Sequence, residues 1–141
     1  MSVAEQILNA LYRRLASVAP VLRNAALPER IPPQGLLILR DGTPALEEAS
    51  LGGLGGYYYR HEIEVEVYVQ HKDTESRDQQ FDALLQTIGQ VLANDPTLEG
   101  LACGLDYARP AMEVEGREGI EAIKQATLIV TAEYGTQRAL S

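Results

Sequence analysis

The sequence YYYRHEIEVEVYVQ, residues 57–70, decides the fold because apolar and polar side chains alternate along it. The odd positions from Ile63 to Val69 are aliphatic, whereas Glu62, Glu64 and Glu66 occupy the even positions between and beside them. Successive side chains of a strand point to opposite faces of a sheet, and β-branched and aromatic residues favour strands. The stretch therefore predicts a long β-strand with one apolar face, which needs a cover, and one acidic face.

Two segments with helical periodicity are available to cover that apolar face. Ser2 to Val18 carries apolar residues three and four positions apart, with Ser2 as the capping residue and Pro20 as the stop. A second amphipathic helix is predicted from a cap at Asp73 or Thr74 to about Asn94. Both helices can pack on the same side of a sheet.

Shorter apolar or alternating segments predict the other strands. They are Val21 to Ala26, Gly35 to Arg40, Ala45 to Leu51, Leu98 to Tyr107, a strand through Met112 and Val114, and Ile120 to Tyr134. The order of elements predicts an α+β fold: a two-layer sandwich in which two helices pack on one face of a mostly antiparallel sheet of about five strands. The opposite face is expected to stay polar. A chain of 141 residues predicts one domain, 1–141, with a loose C-terminal tail from about residue 136.

Composition excludes several classes of function. The net charge of −8 argues against a surface that wraps nucleic acid, since such surfaces are basic. The single cysteine, Cys103, excludes an intrachain disulfide and multi-thiolate metal sites, and we expect it to be a small buried side chain. No apolar run approaches the ~20 residues of a membrane span, and the N-terminus lacks the pattern of a signal peptide, so we expect synthesis inside the cell.

Candidates for catalysis are few. His61 and His71 are the two histidines, and neither has an identifiable nucleophile beside it in the sequence. Glu62, Glu64 and Glu66 are spaced about 6.5–7 Å apart on one face of the strand, a separation compatible with inverting glycoside hydrolysis or with a divalent ion. The other interpretations are a solvated acidic face and a surface turned toward a lumen or a basic partner. We assign no catalytic, cofactor-binding or metal-binding residue.

A glycine-rich segment precedes the long strand. Four glycines surround Leu54, but no Lys-Ser or Lys-Thr follows them and the next element is a strand, so the signature of a phosphate-binding loop is missing. Tyrosine is enriched at protein interfaces. Leu54, Tyr57 and Tyr58 are therefore the candidate subunit interface, with the alternative that Tyr57 lies in the core and Tyr58 is simply exposed.

Several segments together resemble a known family. They are SVAEQILNALYRRL at 2–15, VLRNAALPERIPPQGLLILRDG at 21–42, the strand at 57–70, FDALLQTIGQVLAND at 81–95 and ATLIVTAEYGT at 126–136. In order and character they resemble the tail terminator proteins of long-tailed bacteriophages, the minor tail protein U-like group, including versions in prophages and gene transfer agents. The likeness extends over roughly residues 2 to 135.

This resemblance implies a structural role without catalysis or cofactor. Such proteins form a homohexameric ring that caps the head-proximal end of the tail tube, stops its polymerisation and offers a docking surface to the head-completion or neck protein. DNA passes through the lumen without specific binding, and no membrane is involved. The implied location is the head–tail junction of the virion, after assembly in the bacterial host cytoplasm. The alternatives are another neck or tail-completion protein and, in a different class, a small metal-dependent hydrolase or transferase that uses Glu62, Glu64 and Glu66.

Overall fold

The structure, a computed structural model, describes residues 1–49, 56–117 and 120–141. Its helices and strands, in chain order, are α1 (Val3–Ala16), β1 (Val21–Arg23), β2 (Leu36–Arg40), β3 (Pro44–Ala49), β4 (Tyr57–Gln70), α2 (Thr74–Asn94), β5 (Gly104–Asp106), β6 (Met112–Arg117) and β7 (Ile120–Thr136). Neither helix is long and apolar enough to cross a membrane.

β4 and β7 form the centre of the sheet. They pair antiparallel over the whole of β4, from Tyr57 opposite Thr136 to Gln70 opposite Ile123. The other edge of β4 is shared by β2 and β3, and the other edge of β7 by β5 and β6, while β1 adds to β2 in parallel. The predicted α+β class is confirmed. The sheet has seven strands instead of about five, since even the three-residue strands β1 and β5 pair with it.

The main core lies between the two helices and one face of the sheet. The odd side chains of β4 from Ile63 to Val69 are fully buried there, as predicted, beside Leu128 and Val130 of β7. The helices contribute Ile7, Leu8, Ala10, Leu11 and Leu15 from α1, and Phe81, Leu84, Ile88 and Leu92 from α2. Burying each large aliphatic or aromatic side chain stabilises the fold by about 1.5–3 kcal/mol, so this layer supplies most of the driving force.

The opposite face of the sheet, called here the outer face, is less polar than predicted. A second apolar cluster covers one part of it and consists of Ile31, Leu36, Ile38, Tyr68 and Ile123. The irregular segment that contains Ile31 lies over β2 at this point, so residues 36–39 are buried, on both faces of the sheet, as their continuous apolar run predicts. Only the remainder of the outer face is left to polar side chains.

An ion-pair triad joins the first helix to the sheet edge. Arg23 of β1 donates to both carboxylate oxygens of Glu5, at 2.7 and 2.9 Å, and to both of Asp41, also at 2.7 and 2.9 Å. These bonds lower the pKa of Glu5 and Asp41 and raise that of Arg23 above its ordinary value. The Glu5 N–H meanwhile donates to the Ser2 hydroxyl at 3.1 Å, which confirms Ser2 as the cap. α1 is thus fixed at its start both by its cap and by β1.

The prediction of an extended segment from Leu98 to Tyr107 is wrong for the first half of that segment. Leu98 and Glu99 have φ angles of 47° and 63°, which no strand adopts, and strand pairing begins only at Gly104. The reason is local: after Pro96 the Asp95 carboxylate accepts the Glu99 N–H and stabilises a series of turns. Cys103 follows these turns and is exposed, which also corrects its predicted burial.

The last residues, predicted as a loose tail, follow β7 along the start of α1. The Ser141 carbonyl accepts a hydrogen bond from the Val3 N–H at 3.2 Å, and the Ala139 carbonyl accepts one from the Tyr59 hydroxyl at 2.8 Å. The side chain of Leu140 is exposed. The end of the chain therefore lies beside the start of helix α1.

The turn between β2 and β3 yields a test of the fold. Gly42 has a φ of +63°, and a Cβ added there would lie 2.2 Å from the Glu62 carbonyl oxygen. We expect Gly42→Ala to lower the free energy of unfolding by about 3 kcal/mol, because it adds a backbone clash to the ~1–2 kcal/mol cost of the left-handed conformation. Gly100→Ala is the matched control, since Gly100 has a φ of +83° with nothing within 4 Å of the added Cβ. Equal losses in urea denaturation of the two variants would contradict the close packing at Gly42.

Candidate functional site on the outer sheet face

The exposed part of the outer face is a narrow strip along the two central strands. We call Glu62 and Glu64 of β4, with Thr127 and Ile129 of β7, the acidic strip. Strand register places Ile129 opposite Glu64. Glu62, Thr127 and Ile129 are exposed and Glu64 is half-buried. The strip is what remains between the apolar cluster around Ile31 on one side and the segment 106–110 on the other.

Glu66, predicted to act with the other two glutamates, is separated from them by an ion pair. Arg40 of β2 donates to both of its carboxylate oxygens, at 2.7 and 3.1 Å, and the Tyr68 hydroxyl donates to one of them at 2.8 Å. Burial alone would raise the pKa of Glu66, but these hydrogen bonds outweigh it and hold that pKa below its ordinary value. Burial and the Glu66 carboxylate raise the pKa of Tyr68 to about 12. Glu66 is therefore a neutralised structural residue.

Glu62 and Glu64 differ from Glu66 in their contacts, although Arg40 lies opposite Glu64 in the strand register. Within residues 1–49, 56–117 and 120–141, no basic side chain forms a salt bridge with either of them. The neighbouring Arg60 is directed to Glu133 at 3.3 Å across the strand pair. The acidic strip therefore presents net negative charge, with the apolar side chain of Ile129 between the strands.

The surroundings of the acidic strip do not form an enclosed site. A shallow depression of about 420 Å³ is lined by Arg60, Glu62, Asp106, Tyr107, Ala108, Arg109, Pro110, Thr127, Ile129 and Thr131. Among the residues that the structure describes, no group of three histidine, cysteine or acidic side chains is arranged to hold a metal ion. The arrangement thus supplies a shallow, charged surface.

His61 lies on the helix side of the sheet, away from the acidic strip. It is 1% exposed; its Nε2 lies 2.6 Å from the Asp41 carbonyl oxygen and its Nδ1 3.4 Å from the Tyr134 hydroxyl. Nε2 carries the proton in this arrangement, since a carbonyl can only accept. Burial lowers the pKa of His61, against the opposing influence of the Asp41 carbonyl. His71 lies at the other end of β4, where its Nδ1 accepts the Asp73 N–H at 2.9 Å.

The candidate interface tyrosines lie at the start of β4, on different faces. Tyr58 is on the outer face and 46% exposed, with its ring against Gly135, where an added Cβ would come within 3.0 Å of Cε1. Tyr57 is half-buried on the helix side. Leu54 lies outside the described residues. Tyr58 thus offers free aromatic surface at one end of the sheet, while the interface role of all three residues stays a prediction.

Two arginines in ion pairs were not predicted from the sequence: Arg40, which binds Glu66 on the outer face, and Arg23, which binds Glu5 and Asp41 beside α1. Arg40 and Arg23 each end a short strand, and nothing in their local sequence indicates a partner. The partner of Arg40 could be predicted from the antiparallel pairing of β2 with β4, because this pairing places Arg40 opposite Glu64 and diagonal to Glu66. The ion pair of Arg23 with Glu5 forms only when α1 packs beside β1, and hydrophobic periodicity does not predict that packing.

Comparison with known proteins finds a likeness in fold. No protein-family model matches the chain, and no curated protein matches it in sequence. Among solved structures, a chain of the virion of a native gene transfer agent particle matches with a TM-score of 0.61 and 16% sequence identity. The match covers 95% of this chain and 98% of that chain. The two chains therefore share the fold over almost their full lengths.

The buried histidine predicts an acid-sensitive fold. Because the pKa of His61 is lowered in the folded chain, the unfolded chain binds the proton first, near the ordinary value of about 6.5. In a His71→Asn background, we expect the free energy of unfolding to be constant above that pH and to fall as the pH drops through it. Adding His61→Gln lowers stability throughout and flattens this dependence. Urea denaturation between pH 7.5 and 5.5 measures the free energy of unfolding of both variants. An unchanged dependence of that free energy on pH in the His61→Gln variant would contradict the prediction.

Proposed function

We propose that this chain is a tail terminator of a phage-like particle, acting as one domain over residues 1–141. In this role it forms a homohexameric ring at the head-proximal end of the tail tube. The ring stops polymerisation of the tube protein and gives the head-completion or neck protein a surface on which to dock. Its place is the head–tail junction, after assembly in the bacterial host cytoplasm.

The observation that carries this proposal is the full-length fold likeness to a chain of a gene transfer agent virion. The match extends over 95% of this chain and 98% of the other. Fold alone does not determine function. The likeness to a gene transfer agent virion is compatible with the family that the sequence segments at 2–15, 57–70 and 126–136 resemble, which includes versions in gene transfer agents.

The acidic strip supports a surface that faces DNA without binding it. A ring that encloses a duplex must not retain it, and uncompensated carboxylates repel phosphates at the short distances where salt screens little, within about 8–10 Å. Among the described residues Glu62 and Glu64 form no salt bridge, whereas Glu66 is paired with Arg40. In the proposed ring the acidic strip lines the lumen.

The tyrosines at the start of β4 are the proposed subunit contact, together with Leu54. Tyrosine contributes large contact area at little conformational cost, and Tyr58 is exposed although its ring is held on one side by Gly135. A side chain already held in one orientation loses less entropy on association. This makes Tyr58 the side chain on which ring formation depends most.

Two other functions receive less support. Another neck or tail-completion protein is compatible with the same fold likeness, and the partner proteins decide between them. A small metal-dependent hydrolase or transferase would use the carboxylates of Glu62, Glu64 and Glu66, but the carboxylate of Glu66 is already bound by Arg40. The non-enzymatic role is therefore the proposed one.

Ring formation is the direct test. We expect the purified chain to form hexamers in native mass spectrometry, and to cap tubes of its cognate tail tube protein in electron micrographs. Tyr58→Ala should shift the hexamer toward monomer, because it removes exposed aromatic surface, whereas Leu22→Ala, an exposed apolar residue on the distant strand β1, should not. Thermal melts confirm that both variants are folded. A chain that stays monomeric and leaves tube length unchanged would refute the proposal.

The orientation of the acidic strip has its own test. The double variant Glu62→Lys/Glu64→Lys should make the ring retain duplex DNA at low salt, with an affinity that falls steeply as salt rises. The matched control is Glu75→Lys/Asp82→Lys, which changes the net charge equally on exposed positions of α2. Gel mobility over a salt series measures both. Equal retention by the two variants would mean that only net charge matters and that the strip does not face the lumen.

A further inference from the structure

Strand β6 leaves one edge of the sheet open. β6 pairs antiparallel with β7 on one side, and no described strand pairs with its other side. All side chains from Met112 to Gly116 are exposed, and none of them makes a side-chain hydrogen bond within the described part of the chain. The outward edge therefore offers a row of backbone N–H and C=O groups to a further strand.

The two sides of β6 differ in character. Met112 and Val114 lie on the helix side, opposite Ala126 and Lys124 of β7, and are 45% and 53% exposed. They are outside the main core. Glu113 and Glu115, on the outer side, are also exposed. An added strand would thus meet an apolar row on one side and an acidic row on the other.

The edge strand β3, on the opposite side of the sheet, is protected in a way that β6 is not. β3 begins with Pro44, and its register shifts between Leu46 and Glu48, so a bulge interrupts its centre. Prolines and bulges are common means of blocking strand addition. β6 is regular from Met112 to Glu115 and is irregular only beyond that point. The regular part is long enough to pair with a short extended segment.

The charges on β6 select what can add to it. A second copy of the chain is disfavoured as the added strand. Pairing of β6 with β6 would place Glu113 and Glu115 opposite the same residues of the other copy, and pairing of β6 with β3 would bring them near Glu47 and Glu48. Like charges on facing strands are destabilising. Lys124 does not neutralise the site, since it lies on the other side of the strand and is bound to Asp78 at 3.2 Å.

We propose that β6 binds, by strand addition, an extended segment of another protein in which basic and apolar side chains alternate. Its apolar side chains pack on Met112 and Val114, and its basic side chains pair with Glu113 and Glu115. Backbone hydrogen bonds supply the affinity and the alternating side chains supply the specificity. The proposal concerns an edge that the ring function leaves unassigned and does not depend on ring formation.

A synthetic peptide of alternating lysine and valine tests the proposal on the full chain. Isothermal titration should detect binding, and this should be lost for a peptide with the same composition in two blocks and for one N-methylated at alternate amides. Glu113→Lys/Glu115→Lys should weaken binding of the alternating peptide at least about tenfold and create binding of a glutamate–valine peptide. Glu47→Lys/Glu48→Lys, with the same change in net charge on β3, should leave the affinity unchanged.

Three outcomes would overturn it. Equal weakening by the two double variants would mean that net charge alone attracts the peptide. Binding of the N-methylated peptide would exclude backbone pairing. Loss of an oligomer in sedimentation of the Glu113→Lys/Glu115→Lys variant, without an effect of the peptide on the wild-type chain, would assign the edge to a second copy. Hexamer formation by the same samples distinguishes failure here from failure of the ring proposal.

Discussion

The pairing of β4 with β7 is the constraint on which the rest of the structure depends. Because the two strands run together along all of β4, β2 and β3 must add to the outer edge of β4, and β5 and β6 to that of β7, while β1 extends the sheet beyond β2. The pairing also fixes which side chains share a face: Ile63, Val65 and Val67 align with Val130, Leu128 and Ala126 under the helices. A shift of one residue would reverse every one of these positions and turn the glutamates of β4 into the core.

The elements that the sequence predicts well are those determined by interactions between residues close together in the chain. The strand at 57–70 and the helix at 74–94 were predictable to within a residue, since alternation, periodicity and the Asp73 cap are local signals. The turns at 98–103 were not, because Leu101, Cys103 and Leu105 alternate like a strand while the Asp95 carboxylate holds the preceding backbone in a turn. The ion pairs of Arg23 and Arg40 join residues far apart in sequence, and no local sequence pattern predicts them.

The candidate site follows the same division. Alternation identified Glu62, Glu64 and Glu66 as one face, and the structure keeps them there, but β2 brings Arg40 to the third glutamate alone. Likewise, alternation predicted a polar outer face, yet the segment before β2 folds over that face and buries Tyr68 and Ile123. The uncovered, uncompensated part is therefore smaller than the sequence indicates, and this is what makes it a defined strip.

Negative charge has two uses in the functions proposed here, and the backbone decides between them. On the acidic strip, Glu62 and Glu64 belong to an interior strand of the sheet, so an approaching polymer meets side chains and not an open strand edge, and a polyanion is repelled. On β6, Glu113 and Glu115 belong to a strand with one open edge, where the same charge sits beside unpaired backbone groups and apolar side chains. In the proposed strand addition this charge selects a basic strand from among those that the open edge could accept. A strongly acidic chain can therefore be indifferent to nucleic acid and selective for protein at the same time.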